Sequence, residues 1–263
     1  MASDDNITFY GLDDPPIIDF IETSCVSTNR HIISIYGRPI ADFREMLNLQ
    51  YKYAKGSTHF IPALGMHRST EILIHTMHGN FFHFWTILHL IEMGVLSEAL
   101  IIMRTVYEGL LFGKFCALSD DSSLYNQWQN GNYVSVTKSI LSKISNIDTT
   151  PLKRFWKALC STTHYSPFSG DYTVSKEYVD SNISLNFALI NMLINCNWHF
   201  VTQHCISYKL RQYLKNLDFD DDWQNTKKSY DQLAKRMSFC YTKGGKEVVR
   251  QFCRKWEVNK SNM

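Results

Sequence analysis

Along most of the chain, apolar side chains recur at every third and fourth position, which places them on one face of a helix. No stretch alternates apolar and polar residues long enough to read as a strand. The pattern predicts an amphipathic helix over 38–55, with Pro39 near its start. A long helix follows over 66–93, and Gly94 is its stop signal. Ser97 then caps a third helix over 98–118, with Glu98 in its first turn. Residues 122–146 hold one or two short helices around "NGN". Thr150 as cap and Pro151 at the first helical position open a helix that runs to Thr163. A very long helix is predicted over 177–215, another over 222–241, and a basic terminal one over 246–257. Residues 1–30 read as an acidic, loosely structured arm with one short helix after "DDPP". The expectation is an all-α protein: a single helical bundle of about six to nine helices. Its core spans 31–218, and the basic helices of 219–263 pack onto it.

Composition supports a packed core. The chain has 263 residues, of which 44% are apolar and 14% aromatic, too apolar for a disordered protein. The net charge of +2 excludes no partner, but its distribution is uneven. Residues 1–24 carry six acids and no Lys or Arg, whereas residues 223–263 carry ten Lys/Arg against three acids. Such a basic end attracts nucleic acid or is simply a solvated helix face. Lys243, Lys246, Arg250, Arg254 and Lys255 are the candidate RNA contacts within it. Seven cysteines, scattered and without a Cys-x-x-Cys pair, suggest neither a disulfide framework nor a zinc ribbon. "MASDDNITFY" lacks the basic and apolar regions of a secretory signal. The longest apolar segments are broken by His, Glu or Arg before reaching membrane-spanning length. A cytoplasmic protein without membrane contact is expected.

The stretch "ALIIMRTVYEGLLF" carries the main chemical question. Arg104 and Glu108 are four apart on one face of a helix that is otherwise apolar nearly all round. A helix of that kind runs through the centre of a bundle, so the pair is expected to be at least partly buried. Charges there must be paired and further hydrogen-bonded. Either the pair fixes helix register, or a polar site opens beside it. A second polar cluster ends the helix from Pro151: Ser161, Thr162, Thr163 and His164. A histidine at a helix C-terminus either caps the carbonyls or transfers protons.

The second helix is rich in histidine. Glu71, His75 and His78 share one face, but metal sites in bundles use Glu-x-x-His on paired helices, and that motif is absent. His199 and His204 are weak partners from another helix, so no metal and no cofactor are expected. Arg68 and His75 form an Arg-x6-His spacing. Cys160 and His164 would be neighbours on a helix, although Cys–His nucleophile pairs normally come from different elements. No glycine-rich phosphate loop, Gly-x-Ser-x-Gly or zincin motif occurs.

The helix "SEALIIMRTVYEGLLFGKF", followed by "FWKALCSTTHYS", resembles uncharacterised bacterial helical proteins in which an Arg-x-x-x-Glu helix precedes a Ser-x-x-His helix end. Here these residues are Arg104, Glu108, Ser161 and His164, and the resemblance covers about 60–205. That group looks related to the HEPN superfamily (higher eukaryotes and prokaryotes nucleotide-binding) and to abortive-infection proteins of that kind. The resemblance implies a HEPN-like helical core, often dimeric, with a polar cleft at a helix interface. It also implies a metal-independent endoribonuclease in antiviral defence or a toxin–antitoxin system, with RNA as substrate and an antitoxin as protein partner. The sequence departs from the superfamily's Arg-x4-6-His motif, because Arg104 and His164 lie on separate segments and only Arg68 and His75 match the spacing. The roles implied are Arg104 on phosphate oxygens, Glu108 orienting it, and His164 moving protons, with Ser161, Arg68 and His75 as additional candidates. The alternative is a non-catalytic helical module for protein or nucleotide binding, in which Arg104–Glu108 is structural.

Overall fold

The computed structural model describes residues 17–58, 68–118, 123–144, 148–163, 176–200, 202 and 224–237. The protein is all-α, and no strand occurs among these residues. Helix α1 is Ile17–Thr58, α2 is Arg68–Glu92, α3 is Leu96–Leu118 and α4 is Ser123–Gln129. A π-helical turn at Val136–Leu141 leads to α5, Thr150–Thr163, and α6, Lys176–Phe200. A last helix, α7, covers 224–237.

Helices α2 and α3 form an antiparallel pair joined by a tight turn. Gly94 has φ 77°, and Val95 N–H donates to Leu90 O at 2.9 Å while Gly94 N–H donates to Ile91 O at 3.0 Å. These bonds satisfy carbonyls that the helix end would otherwise leave unpaired, which is why a glycine stops the helix there. Gly131 ends α4 in the same way, at φ 72° with Asn132 N–H on Gln127 O at 2.9 Å. Along the α2–α3 contact the helices approach closely at Gly109. A Cβ at that position would lie 3.3 Å from Thr76 Cγ2 and 3.6 Å from Asn80 Oδ1. Gly109→Leu is therefore expected to overpack the contact and lower unfolding stability by about 1–3 kcal/mol. Urea denaturation checks this; a midpoint equal to wild type would mean that α2 and α3 separate there without cost.

Helix α3 is the centre of the bundle and packs on α2, α5, α6 and the π-helical turn. Its apolar circumference follows from that position: Ala99, Leu100, Met103, Val106, Tyr107, Leu110 and Leu111 are all buried, against different neighbours. α1 covers α2 and α6, with Phe43 stacked on Phe187 at 5.6 Å.

A chain of neutral amides crosses the core. Gln50 of α1 donates to Ile194 O at 2.7 Å and to the Tyr230 hydroxyl at 2.9 Å. Its Oε1 accepts from Asn197 Nδ2 at 2.8 Å, and Asn197 Oδ1 accepts from Asn80 Nδ2 at 3.0 Å. The Tyr230 hydroxyl in turn donates to Asn195 Oδ1 at 3.3 Å. Gln50, Asn197 and Tyr230 are fully buried and Asn80 nearly so. One polar chain thus ties α1, α2, α6 and α7 in a single register. Burial raises the Tyr230 pKa strongly, Gln50 pulling it down only in part. The unfolded tyrosine ionises near 10, so the stability from keeping Tyr230 protonated is complete below that pH and is lost as pH rises above it. Thermal unfolding scans from pH 8 to 11 should give a midpoint that falls above pH 10, and falls less in Tyr230→Phe.

The structure corrects three helix starts. α1 begins at Ile17, directly after "DDPP", and continues through Pro39, so Pro39 lies inside a helix and not at its start. Residues 17–30 are therefore helical and not a loose arm. Ser97 lies inside α3 and donates to Glu98 Oε2 at 2.6 Å; the helix opens one residue earlier, at Leu96. Thr150 is the first helical residue and not the cap, because its N–H is taken by Asp148 Oδ1 at 2.9 Å. The segments predicted as helical over 203–215 and 246–257 lie outside the described residues.

Candidate functional site

Arg104 sits near the middle of α3, on the side that meets α5. Its Nε donates to Glu108 Oε1 at 2.9 Å. The same carboxylate oxygen accepts from Trp156 Nε1 at 2.9 Å, and the Arg104 guanidinium lies 5.8 Å from the centre of the Trp156 ring. Arginine, carboxylate and indole therefore form a closed triangle between α3 and α5. Each edge has a different physical basis: a charge-assisted hydrogen bond, a neutral donor on a charged acceptor, and a cation over a π face. Tyr107 closes the triangle's α5 side, packing edge-on against Phe155 at 4.8 Å and donating to Leu152 O at 3.2 Å.

The side chains of Arg104 and Glu108 are 25% and 32% exposed, so the pair faces the bundle surface and not its centre. Partial burial is the largest single effect on Arg104 and works against its charge, but the hydrogen bond to Glu108 together with the charges of Cys160, Glu108 and Tyr133 outweighs it and raises the arginine pKa. Breaking this pair costs about 1 kcal/mol or less, the scale of solvated ion pairs, not the several kcal/mol of a buried one.

Cys160 lies one helical turn after Trp156 and is half-buried. Burial pushes its thiol up to about 11, although Arg104 pulls it down. It is a thiol and not a thiolate near neutral pH, which makes it a poor nucleophile. Alkylation of native protein by iodoacetamide at pH 8, mapped by mass spectrometry, is expected to label Cys160 far more slowly than after unfolding. The rate should climb with pH toward 11; rapid labelling at pH 7 would contradict the environment described here.

The remaining candidates are placed as follows. Ser161 donates its hydroxyl to Ala158 O, on its own helix, at 2.7 Å. His75 is exposed on α2, its ring 6.2 Å from that of Trp128. Arg68 is the first residue of α2. His164, Lys243, Lys246, Arg250, Arg254 and Lys255 lie outside the described residues, so a convergence of His164 with Arg104 is not part of the geometry here. Among the described residues no three His, Cys, Asp or Glu side chains come together as a metal would require. No helix among them is long and apolar enough to cross a membrane.

Sequence reasoning missed Trp156. An indole N–H facing another helix needs an acceptor, and Glu108 supplies it, but which helix Trp156 faces is set by the tertiary fold. It also missed Glu92, at the end of α2, which is almost buried. Glu92 is ion-paired with Arg44 of α1 and has His89 Nδ1 3.7 Å from its Oε2. Its backbone carbonyl accepts from Asn29 Nδ2 at 2.9 Å. Asn29 and Arg44 lie on either side of Pro39, so Glu92 contacts α1 both before and after the proline.

In comparisons with known proteins, no family model, no curated protein and no solved structure matches this chain.

Proposed function

We propose that this protein is a HEPN-like, RNA-directed effector that cleaves RNA without a metal ion, with Arg104 holding a phosphate. The observation that supports this reading is the Arg104–Glu108–Trp156 triangle. It keeps a fully charged guanidinium in one orientation at a partly open position between two helices. A pre-oriented cation stabilises charge that develops in a transition state at little reorganisation cost. In the reaction, the 2′-oxygen of one nucleotide attacks the adjacent phosphorus and the bond to the 5′-oxygen breaks. A 2′,3′-cyclic phosphate and a 5′-hydroxyl result. One proton leaves the 2′-oxygen and one arrives at the 5′-oxygen, which is the role given to His164. Arg104 would hold the phosphoryl oxygens and Glu108 would hold Arg104.

A second reading has its own support. Because Glu108 Oε1 serves both Arg104 and Trp156, the triangle also staples α3 to α5, as expected for a non-catalytic helical module. One experiment separates the two. Full-length protein is incubated with a mixed RNA in the presence of a chelator, as wild type, Arg104→Ala, Arg104→Lys and His164→Ala. The ribonuclease reading expects wild-type cleavage and at least a hundredfold loss in Arg104→Ala and His164→Ala, with melting temperatures nearly unchanged. Wild-type protein that leaves RNA intact, or cleavage indifferent to Arg104→Ala, overturns it in favour of the module.

A further inference from the structure

The outer face shared by α1 and α2 is unusual for a bundle with so full a core. Phe82 and Trp85 of α2 are 74% and 62% exposed, and Tyr51 of α1 is 45% exposed. They are not scattered. Phe82, Trp85 and His89 recur at three and four on α2, so they form one stripe, and Trp85 stacks on His89 at 5.6 Å with rings 11° from parallel. On α1, Arg44, Tyr51 and Lys55 fall at i, i+7 and i+11, also one stripe, and all are exposed.

Two contacts set these stripes side by side. Arg44 is ion-paired with Glu92, one turn beyond His89, and Tyr51 packs edge-on against Phe81 at 5.5 Å, next to Phe82. The helices therefore run antiparallel, and the flanks that carry the two stripes adjoin. The surface has aromatic rings along one edge and cations along the other. Of the acids beside it, Glu92 is nearly buried and committed to Arg44 and His89, whereas Glu45, next to Arg44 on α1, is exposed.

We infer that this α1–α2 face binds single-stranded nucleic acid, its rings stacking on bases and its cations following the phosphates. Every base has a π face, so rings placed in a row accept a strand without reading its sequence. From Phe82 to Trp85 to His89 the rise is about 10 Å, which spans roughly three bases stacked at about 3.4 Å each. A duplex hides its base faces and gains nothing from such rings. A second copy of this chain fits poorly, because a two-fold contact of the face with itself would set Arg44 and Lys55 close to their own equivalents. The inference stands apart from the Arg104 site and does not need RNA cleavage.

The test uses full-length protein and a fluorescein-labelled 20-mer of deoxythymidylate. That strand lacks the 2′-hydroxyl and is not cut by the reaction proposed above, so binding is read without cleavage. Anisotropy at low salt is expected to show binding. Trp85→Ala and Phe82→Ala should each weaken it about tenfold. Lys55→Gln should lower the slope of log affinity against log salt by about 0.7, the value for one phosphate contact on a single strand. Because these side chains are exposed, helicity by circular dichroism should match wild type in every variant. The inference is overturned if wild type does not bind the strand, or if Trp85→Ala binds as well as wild type. It is equally overturned if a 20-base-pair duplex or vesicles of phosphatidylserine and phosphatidylcholine bind more tightly. A dimer in sedimentation that Trp85→Ala dissolves would assign the face to self-association instead.

Discussion

Gln50→Leu should lower the unfolding free energy by about 3–5 kcal/mol, a large share of what a single domain has. The leucine fits the space of the glutamine and adds apolar contacts, so packing is not the issue. What is lost is three hydrogen bonds at the centre of the bundle: to Ile194 O, to the Tyr230 hydroxyl and from Asn197 Nδ2. The donors and acceptors left behind are buried and have no water to turn to. Each such group costs about 1–3 kcal/mol, and two or three are stranded at once. Tyr230→Phe should cost less, about 1 kcal/mol, because it removes one hydroxyl and leaves Gln50 its bond to Ile194 O. Chemical denaturation of the two variants checks the order. A Gln50→Leu protein as stable as wild type would mean that the amide chain is dispensable and that its members repack.

Trp198→Ala should cost about 3–5 kcal/mol by a different route, loss of volume and of ring contacts. Trp198 is buried between Tyr230, stacked on it at 4.0 Å, and Tyr53, edge-on at 4.8 Å. Its indole N–H also donates to Asp231 Oδ1 at 3.3 Å, and Asp231 is held by Lys227 at 2.6 Å. α7 therefore meets the bundle through Trp198 and Tyr230 together. The alanine should loosen α7 first, which amide hydrogen exchange would register as faster exchange in 224–237 than in α3. Uniform acceleration across the bundle would instead make α7 an integral part of a single cooperative unit. Combined with Gln50→Leu the effects should fall short of additive, because both act on the seating of Tyr230.

Much of this architecture was legible in the chain. The repeat at three and four gave the helices, and Gly94 marked one of their ends; Gly131 ends another, which the sequence placed only as short helices around "NGN". Both glycines hold positive φ, which a turn of this kind requires and side chains resist. Caps were harder, because Asp148, Thr149 and Thr150 are all capable caps and only the packing of α5 decides among them. Pro39 misled for a definite reason. Proline favours a helix start when nothing else acts, but here the contacts of Phe43, Met46 and Leu47 on the core hold the helix together across it. The Arg104–Glu108 pair was evident from its spacing, and Trp156 was not, because local sequence does not say which face of α5 meets α3. The amide chain was invisible for the same reason. Gln50, Asn80 and Asn197 each look like an isolated polar residue in an apolar run, and only the tertiary fold brings them together.

The amide chain also bears on how the protein is made. Gln50 and Tyr230, which share a hydrogen bond, are 180 residues apart, and Asp42 and Arg236 are 194 apart. At a synthesis rate of about 5–20 residues per second, α1 leaves the ribosome roughly 10–40 s before its partner in α7 exists. Ile194 and Asn197, the other partners of Gln50, follow it by 144 and 147 residues, so the bundle closes on Gln50 only a few seconds before α7 arrives; for those seconds Gln50 and Trp198 both lack Tyr230. The nascent chain passes through this stage on every round of translation, and chaperone capture of stalled chains ending before 224 would be stronger than of chains that include α7.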